Sequence, residues 1–166
     1  MADGGHAGTD HNLGIAYEYG KSVLDEDKDQ AIMFYRKAAD GGDADGQYRL
    51  GKVYEFGEFG LEKDEGQALV SYRKAADGVN AGAQRDLGHA YEFGEFGLEE
   101  DENQAPVWYR KAADGGHAGA HHDLGIAYEY GKFGLGEDKD QASDGQMCER
   151  SPINFLRVVT HLHEVV

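Results

Sequence analysis

The chain has 166 residues, 32 of them acidic and 16 basic, for a net charge of −16. That balance excludes nucleic acid as a partner, since binding its phosphates needs clustered Lys and Arg, and it suits a basic protein partner if charge steers association at all. The single cysteine, Cys148, excludes an intrachain disulfide framework, and no run approaches the roughly 20 apolar residues of a membrane span.

The chain opens on Met1-Ala2-Asp3-Gly4-Gly5-His6, with neither a basic n-region nor an apolar h-region, so it does not read as a signal peptide. The cytoplasm, with the nucleus as alternative, is therefore the expected compartment. From there the dominant feature is repetition. Leu-Gly occurs at Leu13-Gly14, Leu50-Gly51, Leu87-Gly88 and Leu124-Gly125, each step being 37 residues. Tyr17, Tyr54, Tyr91 and Tyr128 keep that register, as do Gly20, Gly57, Gly94 and Gly131. The string Tyr-Arg-Lys-Ala-Ala-Asp-Gly begins at Tyr35, Tyr72 and Tyr109. The units run over about 3–42, 43–79, 80–116 and 117–142, and the last is truncated.

Each unit reads as two helices. In the second, Asp43 is a candidate N-cap for the first helix, with Asn80 in the same place one unit on. Leu50, Val53 and Tyr54 share a face, and Gly57 offers the left-handed position that ends the helix. An acidic link follows, and the second helix is expected to begin near Ala68. Its buried stripe is plainest at Ala105, Trp108, Tyr109, Ala112 and Ala113, matched by Ala31, Phe34, Tyr35, Ala38 and Ala39. Gly41, Gly78 and Gly115 should end it. Pro106 conflicts with an early start, so that helix should begin late or bend there. One hairpin cannot bury its stripe alone, whereas stacked hairpins can, which predicts an all-α, right-handed superhelical solenoid of helix-turn-helix repeats.

The combined motif resembles the Sel1-like repeat family, a longer cousin of the tetratricopeptide repeat, whose period is 34. It is carried by Leu87, Gly88, Tyr91, Gly94, Gly97, Leu98, Asp101, Ala105, Trp108, Tyr109, Lys111, Ala112, Ala113 and Gly115-Gly116, with Leu98 where the family usually has Val. The resemblance covers about residues 3–142. It implies an adaptor that holds other proteins. The chain has no Gly-x-Ser-x-Gly and no phosphate-loop motif, so no catalytic residue and no cofactor is expected. Some secreted bacterial relatives carry one disulfide per repeat, and the cysteine content here does not imply that branch.

After Ala142 the repeat stops at once, and Ile32-Met33-Phe34-Tyr35 gives way to Ser143-Asp144-Gly145-Gln146. Residues 143–166 read either as a divergent capping helix starting at Ser151-Pro152 or as an unrelated tail, with a partner-binding helix as a third option.

Other chemistry is thin. Asp25, Asp27 and Asp29 mimic the start of a calcium loop, but Gln30 and Arg36 stand where Gly and Glu are required. Helix caps explain Asp27, Asp64, Asp101 and Asp138 better. His6, His11, His117, His121, His122, His161 and His163 form no zinc signature, although His117 and His121 are one turn apart. The Gly-x-x-Gly at Gly57–Gly60 and Gly94–Gly97 recurs with the repeat and is loop geometry.

Columns that differ between near-identical units locate a candidate binding face. One reads His11, Tyr48, Arg85, His122; four residues on, another reads Ile15, Lys52, His89, Ile126; three further on stand Glu18, Glu55, Glu92 and Glu129. These spacings share one face of the first helix, expected to line the concave side. Tyr48, Lys52, Glu55, Arg85, His89, Glu92, His122, Ile126 and Glu129 are thus the candidate contacts for a protein or peptide, with a solvated face as the plainer reading. The alternatives are a regulatory module acting with a separate enzyme or, less favoured, a His/acid metal-binding protein.

Overall fold

The computed structural model describes residues 4–21 and 25–134. Seven α-helices follow one another: α1 Gly4–Glu18, α2 Lys28–Asp40, α3 Ala44–Phe56, α4 Glu65–Asp77, α5 Ala81–Phe93, α6 Gln104–Asp114 and α7 Ala118–Glu129, then a single 3-10 turn, Lys132–Gly134. No strand occurs among the described residues. α1, α3 and α5 each pack on the even-numbered helix that follows, and α2, α4 and α6 on the helix after them, giving the expected solenoid. The tail, residues 143–166, lies outside the described residues, and so does Asp138.

Local chemistry sets the helix ends. Asp43 Oδ1 accepts from Gly46 N at 2.7 Å and Asn80 Oδ1 from Ala83 N at 2.8 Å, as their types predict. Gly57 and Gly94 close α3 and α5 at φ +66° and +65°. The acids of the links are caps as well: Asp27 accepts from Gln30 N and Asp64 from Gln67 N. Because Asp64 is the cap, α4 begins at Glu65, a turn earlier than the apolar pattern at Ala68 suggested. In the third unit Asp101 still accepts from Gln104 N at 3.1 Å, but α6 starts only at Gln104, so Pro106 falls in its first turn, where a missing N–H costs nothing.

The core is built from repeated columns. Tyr35, Tyr72 and Tyr109 are fully buried, with Ala31, Ala68 and Ala105 and Ala38, Ala75 and Ala112 beside them. The Leu-Gly pair has a packing reason. A Cβ at Gly14, Gly51 or Gly88 would stand 2.6 Å from the ring of Tyr35, Tyr72 or Tyr109 respectively. The glycine lets the tyrosine lie flat on the first helix. A second aromatic closes over each tyrosine from the next unit: Phe59 on Tyr35 at 6.3 Å, Phe96 on Tyr72 at 5.6 Å and Phe133 on Tyr109 at 6.3 Å between ring centres. All three phenylalanines sit at positive φ, 53–57°. Their backbone strain is held by the ring contact that the left-handed turn makes possible.

Candidate functional site

The first-helix face is tied together by charges the repeat period brings into contact. Each buried tyrosine donates its hydroxyl to the glutamate of its own unit: Tyr35 to Glu18, Tyr72 to Glu55, and Tyr109 to Glu92 at 2.6 Å. Burial and then this bond push all three phenols up, so they remain donors. The glutamate column is therefore not a bare ladder. Glu55 also meets Lys52 at 3.2 Å, and Glu92 meets Lys132 at 2.9 Å. Glu129 is exposed.

The candidate cations face the next unit. Lys52 pairs with Asp86 at 2.8 Å, and Tyr48 donates to the same carboxylate at 3.1 Å. One unit on, Arg85 reaches Asp123 at 2.7 Å with His89 Nε2 3.6 Å from it. Burial alone would raise the Asp123 carboxyl; His89 and Arg85 more than offset it and hold it below the usual carboxylate range. Burial and the Asp86 charge push the Tyr48 phenol up to about 12. Between the first and second units this job falls to Arg49 of the second, whose guanidinium grips Glu18 and Glu58 and lies over the Tyr35 and Phe59 rings. Burial raises the Glu18 carboxyl, and the bonds from Arg49 and Tyr35 bring it below its ordinary value.

The structure thus brings Tyr48, Lys52, Glu55, Arg85, His89 and Glu92 together, as inter-unit struts with Asp86 and Asp123. His122 and Glu129 are exposed and Ile126 is half-buried. Asp86 and Asp123 did not stand out in sequence, since the arginine at Arg49 occupies their column in the second unit. A different column was missed altogether. Tyr19, Phe56, Phe93 and Tyr130 recur every 37 residues at the C-terminal end of the first helices and are 62, 63, 55 and 67 % exposed. Lys52 Nζ lies 5.5 Å from the Phe56 ring centre, and His89 stacks on Phe93 at 5.7 Å, so this aromatic strip adjoins the candidate columns. Its signal was its period; the comparison of columns that differ passed over one that is uniformly aromatic.

His117 stands at the N-terminus of α7 without a capping bond, one turn before His121. Among the described residues no group of three or more His, Cys, Asp or Glu is placed to hold a metal ion, and no helix is long and apolar enough to cross a membrane.

Comparison with known proteins settles the family. The Sel1 repeat matches residues 10–43, 44–80, 81–117 and 118–142, most of the chain. The chain belongs to the Sel1 repeat family. A Sel1 repeat protein from Oxalobacter formigenes superposes with a TM-score of 0.76 at 30% identity over 86% of this chain and 56% of that one. A protective antigen of uropathogenic Escherichia coli strains, with the same fold, superposes at 0.75 and 31% identity over 87% of this chain and 30% of that one. The chain therefore spans a little over half of the first relative and under a third of the second. The Helicobacter pylori cysteine rich protein B, at 24% identity and a TM-score of 0.55 over 71% of this chain and 92% of that one, shares the fold. No curated protein sequence matches. Sel1 repeat proteins are in general protein-interaction scaffolds, and the fold is typically non-enzymatic.

Proposed function

We propose that this Sel1 repeat chain is a scaffold whose first-helix face holds an extended, basic segment of a protein partner. One observation carries the reading: the exposed aromatic strip of Tyr19, Phe56, Phe93 and Tyr130 beside the glutamate column. Large aromatics left in water at regular intervals are what interfaces use as anchors. Glu55, Glu92 and Glu129 border the strip: Glu55 shares Lys52 with Asp86, Glu92 meets Lys132, and Glu129 is exposed. A guanidinium or ammonium from the partner would meet both an aromatic face and a carboxylate. In this reading Tyr48, Lys52, Arg85 and His89 keep the units in register, while His122, Ile126 and Glu129 extend the contact surface.

The test is fluorescence anisotropy of a labelled Lys/Arg-rich peptide against the purified chain, with a Gln-substituted peptide as control. Binding should favour the basic peptide and weaken at least tenfold in the double variant Phe56→Ser, Phe93→Ser, with the melting temperature nearly unchanged. Equal binding by that variant would remove the aromatic strip as the site. Reversing Lys52 or Arg85 is the poorer test, because it also cuts the struts between units.

A further inference from the structure

The second helices carry a column in which one unit breaks the rule. It reads Phe34, Ser71, Trp108. In the first unit Phe34 stacks on Tyr17, ring centres 5.6 Å apart and planes 8° from parallel, and the Lys37 ammonium lies 5.5 Å from its centre. In the third unit Trp108 packs against the cluster holding Leu87, which is fully buried, and Lys111 Nζ sits 3.9 Å above the indole. In the second unit Ser71 is too short to do either. Its hydroxyl turns back to Gln67 O at 2.8 Å. Leu50 is half-buried, as Leu13 is in the first unit, and Tyr54, the equivalent of Tyr17, has no ring stacked on it among the described residues. A hollow of about 230 Å³ remains, floored by Leu50 and Tyr54 of α3 and walled by α2 and α4. Lys74, in the column of Lys37 and Lys111, lines it with no ring beneath, and Arg36 faces it from α2. Neither cation is in an ion pair among the described residues.

We infer that this hollow binds an aromatic side chain, phenyl or indole, presented by a partner protein. Its two occupied copies in the same molecule define the fit: a ring against the first helix, on the tyrosine in the first unit and against the leucine's cluster in the third, with a lysine ammonium over its face. The hollow is open and has a polar rim, so a ring would lie across Leu50 and Tyr54 with one edge in water. Of the three charged side chains that line it, Lys74 and Arg36 are cations, which favour the negative face of a π-system, and Asp40 is the one acid. Gln47, Leu50 and Tyr54 lie about 130° around α3 from Tyr48, Lys52 and Glu55 at 100° per residue. The site is therefore distinct from the first-helix face and stands or falls separately from it.

The test is an NMR titration of the isotope-labelled full chain with N-acetyl-tryptophanamide, using N-acetyl-leucinamide as control. Saturable shifts should centre on Leu50, Val70, Ser71 and Lys74, with ring-current shifts on the Lys74 side chain, and the leucine compound should bind far more weakly. Ser71→Trp should fill the hollow from within, abolish those shifts and raise the melting temperature. Lys74→Glu, an exposed change, should weaken binding about two- to five-fold with helicity intact. Shifts that never saturate, that lie elsewhere, or that persist in Ser71→Trp would overturn the inference. Neither variant should alter binding of the basic peptide to the first-helix face, so the failure of one site is separable from failure of the other.

Discussion

Replacing Val79 by glycine should stabilise the protein. The turn after each second helix has one form: Gly41, Gly78 and Gly115 cap the helix, and the next residue turns left-handed at φ +85° for Gly42, +65° for Val79 and +82° for Gly116. The bonding is also the same. Val79 N donates to Ala76 O at 3.0 Å and Asn80 N to Ala75 O at 2.9 Å, as Gly42 and Asp43 do to Ala39 and Ala38. Only the second unit puts a β-branched residue there. The left-handed conformation costs an L-residue about 1–2 kcal/mol, and a β-branched one is the worst case. Glycine relieves that strain but makes the unfolded chain freer, which returns about 0.4–1 kcal/mol. Val79 is 71% exposed, so its side chain contributes little burial to lose. With valine at the upper end of that cost the net gain is about 1–1.5 kcal/mol, or roughly 2–6 °C in melting temperature for a chain of this size. Thermal and urea unfolding followed by circular dichroism would measure it, with Val79→Ala, which keeps a Cβ, gaining clearly less. An unchanged or lower midpoint for Val79→Gly would refute the strain argument.

Three further outcomes follow from the packing and the charges. Gly51→Ala should lose stability despite alanine's better helix propensity, by about 1–3 kcal/mol, because its Cβ would stand 2.6 Å from the buried Tyr72 ring; a melting temperature at or above the parent's would count against the Leu-Gly packing. His117→Asp should gain about 1 kcal/mol by supplying α7 with the cap that Asp43 and Asn80 give α3 and α5, and hydrogen exchange in the first turn of α7 should slow; unchanged exchange would show that the backbone there cannot adopt the cap. Arg49→Gln should destabilise by about 1–3 kcal/mol at neutral pH by leaving Glu18 without its cation. Glu18 titrates below its ordinary value when folded, so its contribution is present above the unfolded value near about 4.3 and is lost as pH falls through the folded one. The gap between parent and variant melting temperatures should therefore shrink below about pH 4, and a gap constant from pH 7 to 3 would disprove the assignment.

The 37-residue period, the two helices per unit and most of the helix ends were legible in the amino-acid sequence, because each depends on neighbours along the chain. Asp43 and Asn80 cap within three residues, Gly57 ends its helix by its own backbone freedom, and the alanine stripe repeats at helical spacing. The start of α4 was misjudged because the apolar stripe begins a turn after the cap, and Asp64, not Ala68, decides where the helix starts.

What the sequence could not decide was where each side chain points once the units stack. Lys52 and Arg85 looked like free cations on a binding face, yet the pitch of the solenoid carries Asp86 and Asp123 to them from the following unit. Glu55 and Glu92 looked like a bare ladder, but the flat tyrosines that Gly51 and Gly88 admit reach them with their hydroxyls. The same stacking turns Phe56 and Phe93 outward and leaves Ser71 over a hollow. Such contacts join residues 17 to 40 positions apart. Only the distance between stacked helices sets which charges pair and which rings stay in water.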